Sequence, residues 1–298
     1  MRYYTILEDF LPRLKVSDED KREILAAYRE LSENEEADEI LDTIIGKYAE
    51  RGELDYTKLT DEQLPHLEKI SGMHRYRVNM ATLFPLLPFT EPYYKKAEVS
   101  ERVWLDSIYD LACKILDCRE IVGMAGLRSS SLNWFRAWFF AERFAFHRLQ
   151  FELAYAKDDF SDGGLNIKAG DPVIGIHIPS HLSGLPFDDE NRLISYKEAK
   201  EYFLPKIGNK PFIFRCISWL TAYYNKEILP PHSNTRRFTE EFVLGESYSG
   251  RWALSLIFKT DELPEDKDLP ENTSLQRAYK KLILSGVEPC TTLGYKAF

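Results

Sequence analysis

In the stretch PVIGIHIPSHLSGLP (172–186), one histidine interrupts an otherwise apolar strand: His177 lies between Ile176 and Ile178 and shares its face with Val173 and Gly175. A neutral imidazole in a partly buried cleft is a suitable general base near neutral pH. Glycine within a strand often marks the close approach of a ligand or another backbone. Pro179 then breaks the strand into a loop with a second histidine, His181, two serines and a glycine. The plainer alternative is a histidine satisfied by its surroundings and without chemistry. The next strand, FIFRCISWL (212–220), sets Phe212, Phe214, Cys216 and Ser218 on one face and Ile213, Arg215, Ile217 and Trp219 on the other. Cys216 as a nucleophile needs an adjacent base and an oxyanion donor. His177 supplies the base if the two strands are neighbours; otherwise Cys216 is a small lining residue. In LPPHSNTRRF (229–238) the prolines stop a helix, and Ser233 and Asn234 suit a tight turn or a new cap. Arg236 and Arg237 form a basic pair able to hold a phosphate or carboxylate, or simply to stand solvated.

Several signatures are missing. The sequence contains no Walker phosphate loop, no GxGxxG, no HExxH and no GxSxG nucleophile elbow. Gly163-Gly164 follows an aspartate and reads as a turn. The four cysteines (113, 118, 216, 290) are too few for a disulfide scaffold. Cys113 and Cys118 sit five apart on a helical pattern without a nearby histidine, which favours reduced, partly buried thiols over zinc.

The elements that must carry these residues fall into two halves, and 298 residues suit two domains better than one. The first half has helical rhythm. Ser17 caps a helix whose first turn is Asp-Glu-Asp, and Ile24, Tyr28 and Leu31 follow on one face. A second helix runs from about Glu35 to Gly52; Thr60 caps a third, and Ser100 a fourth with the stripe Trp104, Ile108, Leu111, Ile115. FPLLPF (84–89) reads as a packed connection rather than a helix. Residues 1–60 hold sixteen acidic side chains against nine basic ones, a pattern of solvated outer helix faces or of a surface for a basic partner.

A serine cluster at 129–131 starts a helix burying Leu132, Phe135, Trp138 and Phe139. Near Phe144 the period changes to two, with His147, Leu149, Phe151, Leu153 and Tyr155 alternating with Arg148, Gln150, Glu152 and Ala154. Strands at 166–168 and 173–178 follow, then a helix begun by Ser195, a strand at 212–219 and a short helix from Thr221. Strands near 238–244 and 252–259 read as a hairpin joined by GESYSGR, so the sheet must be mixed. The expected domains are 1–125, all helical, and 126–298, with the boundary in IVGMAGLRSS.

The composition, 44% hydrophobic and 29% charged, supplies a sizeable core. A formal net charge of −9 argues against nucleic-acid binding through phosphate contacts. No apolar run is long enough for a membrane span, and the acidic residues of MRYYTILEDFLPRLK do not fit a secretory signal, so a cytoplasmic location is expected.

The segments RLQFEL (148–153), IHIP (176–179), CISWL (216–220), LPPHSNTRRF (229–238) and TSLQRA (273–278), in this order, resemble a family of bacterial two-domain acyltransferases. The resemblance covers nearly the whole chain and is most specific over 145–298. It implies a helical N-terminal domain followed by a C-terminal domain of the GNAT acyltransferase superfamily, an α+β architecture with a splayed mixed sheet. It further implies that acetyl-CoA or another acyl-CoA lies in a V between strands 173–178 and 212–219 and gives its acyl group to a small-molecule or peptide amine. On this resemblance the candidate catalytic residues are His177, Glu152, Ser218 and Tyr223, with Tyr223 or Tyr224 protonating the leaving thiolate. The candidate CoA-binding residues are Ile178, Ser180, Gly184, Ser195, Asn234 and Arg237, with the pyrophosphate over the 180–192 loop and the start of the Ser195 helix. The superfamily's Arg/Gln-x-x-Gly-x-Gly/Ala run is replaced here by HLSGLPFDDENRL, with acidic Asp188, Asp189 and Glu190. That departure favours a second reading, a non-catalytic relative that binds a ligand or partner.

Overall fold

The computed structural model describes residues 1–180 and 184–298. Met1–Ala145 together with Ser180 form one compact unit, and Phe146–Pro179 with residues 184–298 a second.

The first unit is helical. Ser17 accepts the Asp20 N–H at the start of Asp18–Ser32, Asn34 caps Glu35–Arg51, and Ser100 caps Glu101–Val122. Trp104, Ile108, Leu111 and Ile115 of the last are all buried, as their spacing requires. Thr60 caps nothing: Asp55 caps the turn Tyr56–Lys58, the chain widens into a π-turn over Leu59–Gln63, and the helix Leu64–Ser71 follows. Phe84–Thr90 is wound as a 3-10 helix rather than an irregular connection. Pro85 opens it, where a missing N–H costs nothing, and the short 3-10 register accommodates Pro88. Cys113 and Cys118 are buried and form no disulfide with another described residue. Among the described residues no helix is long and apolar enough to cross a membrane.

The strands are β1 (Phe144–Phe146), β2 (Leu149–Tyr155), β3 (Phe160–Asp162), β4 (Leu165–Ile167), β5 (Pro172–His177), β6 (Ile213–Ser218), β7 (Val243–Ser249) and β8 (Cys290–Ala297). The long run read from the period-two pattern is two strands, because His147 adopts a left-handed conformation, φ 58°, and kinks the chain between β1 and β2. The main sheet has the order β1-β2-β5-β6-β8-β7, and β3 pairs with β4 separately. β2 is antiparallel to β5, β5 parallel to β6, and β8 antiparallel to both β6 and β7, so the sheet is mixed as expected.

One sheet face is covered by the helix Asp189–Ile207, whose Tyr196 ring packs at 4.9 Å from Phe214 and 6.4 Å from Phe151. The other face is partly covered by the β3–β4 hairpin, where Phe160, Ile167, Val173, Ile213 and Tyr295 cluster.

The expected hairpin near the C-terminus is wrong. Ser233 caps a helix over Asn234–Glu240, and only then does β7 begin. The apolar run expected as a strand at 252–259 is helical over Leu254–Phe258, since Leu254, Ile257 and Phe258, at i, i+3 and i+4, all bury against Tyr279 and its neighbours. The partner of β7 is β8, a strand the sequence reading missed. β8 enters between β6 and β7 after the helix Ser274–Leu284.

Phe214 is fully buried and meets Phe151, Tyr196, Phe212 and Phe298 within 5.6 Å. Phe214→Ala should lower stability by about 3–5 kcal/mol, read as a fall in the urea midpoint of the sheet's unfolding transition.

Candidate active site

The site is set by where two parallel strands stop pairing. The β5–β6 register joins Ile174 to Phe214 and Gly175 to Arg215, and ends there. β5 nevertheless runs on to His177, held on its outer side by Gln150 of β2, and β6 runs on to Ser218, held by Thr292 of β8. Each strand follows its outer neighbour, so a gap opens between Ile176–His177 and Cys216–Ser218. The strand ends are fixed as well. The buried Arg148 donates from Nη1 to the Pro179 carbonyl at 2.8 Å. Ser218 Oγ accepts the Leu220 N–H at 3.1 Å and forms a capping box with Thr221, turning the chain out of the sheet.

His177 stands at the lip of this gap with its Nε2 3.1 Å from Glu152 Oε1 on β2. Both side chains are partly buried, at 15% and 25% exposure, so the pair is neither dry nor free in solvent. Gly175, one residue pair along, faces Glu152 directly. A Cβ at Gly175 would lie 3.1 Å from Glu152 Cγ and 3.4 Å from its Oε1. The glycine therefore leaves the room that the carboxylate stem crosses on its way to the imidazole. That is the physical reason for the pattern Gly-x-His in this strand.

The structure brings His177 and Glu152 together but scatters other expected site residues. Ser218 uses its oxygen in the cap just described. Tyr223 is about half exposed, its ring against Tyr224 at 5.1 Å and its N–H on Thr292 Oγ1. Tyr224 is buried, accepts the Cys290 N–H at 3.0 Å, and burial pushes its phenol up to about 12. Of the two tyrosines, only Tyr223 faces solvent. Ile178 is half-buried at the strand's end. Ser180 donates to Asp117 Oδ2 at 3.2 Å, and that oxygen also accepts Lys114 Nζ at 2.8 Å. Gly184 has φ +67° with open space where a side chain would project. Residues 181–183 of the loop, His181 included, lie outside the described residues.

Ser195 does not begin a helix. The helix starts at Asp189, with Asp188 accepting the Asn191 N–H at 2.9 Å. Ser195 is buried a turn and a half inside; it donates to the Asn191 carbonyl at 2.7 Å and accepts the Arg148 N–H at 3.0 Å. A serine that suits a cap also suits a buried bridge, and the local sequence does not separate the two.

The acidic run is largely committed. Asp188 is the cap, and the capping bond from Asn191 holds its carboxyl below the usual range. Asp189 contacts Arg192 Nη2 and lies 3.3 Å from Arg237 Nε, while Arg237 Nη2 donates to Asn234 Oδ1 at 2.7 Å. Arg236 is turned to Glu240 at 2.8 Å. Sequence reasoning missed Arg192 and Glu241. The Arg192 side chain is 1% exposed and donates from Nε to Glu241 Oε1 at 2.7 Å; Glu241 Oε2 accepts from Tyr196 at 2.9 Å and Lys296 at 2.8 Å. No local signal marks partners this far apart in sequence.

Cys216 lies on the opposite sheet face from His177, under the Asp189–Ile207 helix, and burial pushes its thiol up to about 12. The reading of Cys216 as a nucleophile served by His177 therefore fails on both geometry and ionisation.

A mixed sheet whose central parallel strands part, backed by one long helix and preceded by a helical unit, defines a GNAT-like architecture. Residues 144–296 match the family model described as the GNAT-like C-terminal domain, and residues 5–140 match the N-acyltransferase N-terminal domain. The chain belongs to this family. The fold is similar to that of an acyltransferase solved in complex with decanoyl-CoA and teicoplanin, at 20% identity and TM-score 0.73, over 97% of this chain and 86% of that one. It is also similar to an acyltransferase solved with CoA and 10C-teicoplanin, at 19% identity and TM-score 0.74, over the same shares of the two chains. No curated protein matches the chain.

With its thiol raised to about 12, Cys216 is thiolate to only about one part in ten thousand at pH 8. Iodoacetamide at that pH should leave Cys216 unmodified in the native protein and label it in urea, read by peptide mass spectrometry; native labelling would overturn its placement.

Proposed function

We propose that this protein is an acyl-CoA-dependent N-acyltransferase, transferring an acetyl or longer acyl group to an amine. The observation that carries the reading is the gap between β5 and β6 with the His177–Glu152 pair at its lip. Acyl-CoA in the similar solved acyltransferases, with octanoyl or decanoyl chains, and the N-acyltransferase family match add support. Acyl-CoA is an intracellular metabolite, which favours a cytoplasmic setting.

In this reading the thioester lies in the gap, where main-chain groups outside the β5–β6 ladder face it. Strand N–H groups so placed suit a developing oxyanion. A carboxylate 3.1 Å from Nε2 stands where it can stabilise the imidazolium that forms when His177 takes a proton. His177 takes a proton from the amine as its nitrogen attacks the thioester carbonyl. The C–N bond forms, the C–S bond breaks, and the thiolate leaves as free CoA after taking a proton, for which exposed Tyr223 is the candidate donor. Ser218 shapes the far wall of the gap through its cap. Gly184, Ile178 and the first turn of the Asp189–Ile207 helix offer backbone for the pyrophosphate, with Asn234 and Arg237 beside that turn. Pairing of Asp189 with Arg192 and Arg237 reduces the negative charge a phosphate would meet there.

His177→Ala should lower kcat for acyl transfer by about 10²–10⁴-fold while calorimetry finds acyl-CoA binding retained; turnover that survives intact would remove His177 from the chemistry. If near-millimolar acetyl-, octanoyl- and decanoyl-CoA all fail to raise the melting temperature, the transferase reading fails as a whole. Gly175→Ala should displace Glu152 and reduce kcat more than it changes the KM for acyl-CoA, checked by steady-state kinetics.

A further inference from the structure

On the His177 face of the sheet a cleft of about 380 Å³ opens that the steps above do not use. Its floor belongs to the same strands. Arg215 is the register neighbour of Gly175, and Ile217, two residues further along, stands level with His177 across the gap. Tyr295 and Leu293 of β8 pair with Arg215 and Ile217 and continue the floor outward. The cleft therefore lies along this face of the sheet, and its lining includes Ile217 of β6, the strand that borders the gap.

Its walls are aromatic and its rim is acidic. Phe160 and Tyr295 pack together at 4.9 Å, and Tyr248 stands on β7 with 45% of its surface exposed. Asp158, Asp162 and Glu246 line the rim. Glu246 Oε2 accepts from the Tyr248 hydroxyl at 3.2 Å, and the charge of Asp158 reaches both Tyr248 and Tyr295, adding to burial in raising their phenols. Of the remaining charges there, Asp159 is paired with Lys168 at 2.9 Å, and Arg215 is turned to the Tyr155 carbonyl at 3.2 Å, leaving Lys157. Ile217 at the inner end keeps 47% of its surface in water. Exposed apolar surface beside ring faces and carboxylates matches a ligand with an apolar body and a positive charge.

We infer that this cleft is the acceptor subsite and takes a cationic, ring-bearing amine. The inference rests on the acyl-transfer reading and deepens it. The amine arrives as an ammonium held by the carboxylates and rings, gives its first proton to solvent on reaching the gap, attacks as the neutral nitrogen, and yields its second proton to His177 as the C–N bond forms.

The test uses the full chain and tyramine as probe, with tyrosol, which replaces the ammonium by a hydroxyl, as the uncharged comparison. Calorimetry should show tyramine bound and tyrosol much more weakly. The double variant Asp158→Asn/Glu246→Gln should weaken tyramine about tenfold, as removal of two exposed charges implies. Added potassium chloride should weaken tyramine binding to the unaltered protein more than to the double variant. Glu262→Gln, an exposed carboxylate outside the cleft, should leave binding and turnover unchanged. With acyl-CoA present, the KM for tyramine should move in parallel with its Kd. Equal binding of tyramine and tyrosol, or a double variant that binds tyramine like the unaltered protein, would overturn the inference. Loss of the transferase reading would show separately, as failure to bind acyl-CoA.

Discussion

Two parallel strands paired for two residues and then drawn apart by their outer neighbours are the constraint on which the rest of the site depends. Parallel ladders are ordinarily continuous, because a buried main-chain group without a partner is costly. Here β5 stays with β2 to His177 while β6 stays with β8 to Ser218. The divergence is reinforced at both tips, since Arg148 grips the Pro179 carbonyl and the Ser218–Thr221 box bends β6 away. Main-chain groups beyond Gly175 and Arg215 on the facing edges are thereby left out of the β5–β6 ladder.

The same arrangement explains how a carboxylate can stand beside a half-buried imidazole. Glu152 reaches His177 across a glycine, so the sheet itself supplies the space. On the opposite face the polar groups have a different task. The Arg192–Glu241–Tyr196–Lys296 network lies beneath the long helix, where each charge has a partner. Breaking such a network leaves an uncompensated charge, so it fixes the helix to the sheet more by intolerance of disruption than by net attraction. Its outer end, Asp189 with Arg237, ties the helix start to the segment carrying Asn234.

Much of this was legible in the sequence, and the rest was hidden for definable reasons. Gly175, His177 and Pro179 lie within one strand, so a period of two places them without tertiary information. The face assignment of Cys216 and Arg215 held for the same reason. Ser195 was misread because its role depends on Arg148, far away in sequence, while the true cap is Asp188. Residues 252–259 form a short apolar run, and such a run carries no decisive period until Tyr279 provides a surface for Leu254, Ile257 and Phe258. β8 escaped notice because it is buried along both faces for most of its length and shows no alternation.

The position of β8 has a consequence for how the chain must be made. It is the latest of the described strands to leave the ribosome, yet it belongs in the interior of the sheet, with β6 on one side and β7 on the other. Until it emerges, the nascent polypeptide carries two naked strand edges instead of one closed ladder, and such edges invite pairing with other chains. Synthesis speed and chaperone cover over that interval thus bear directly on the yield of native molecules.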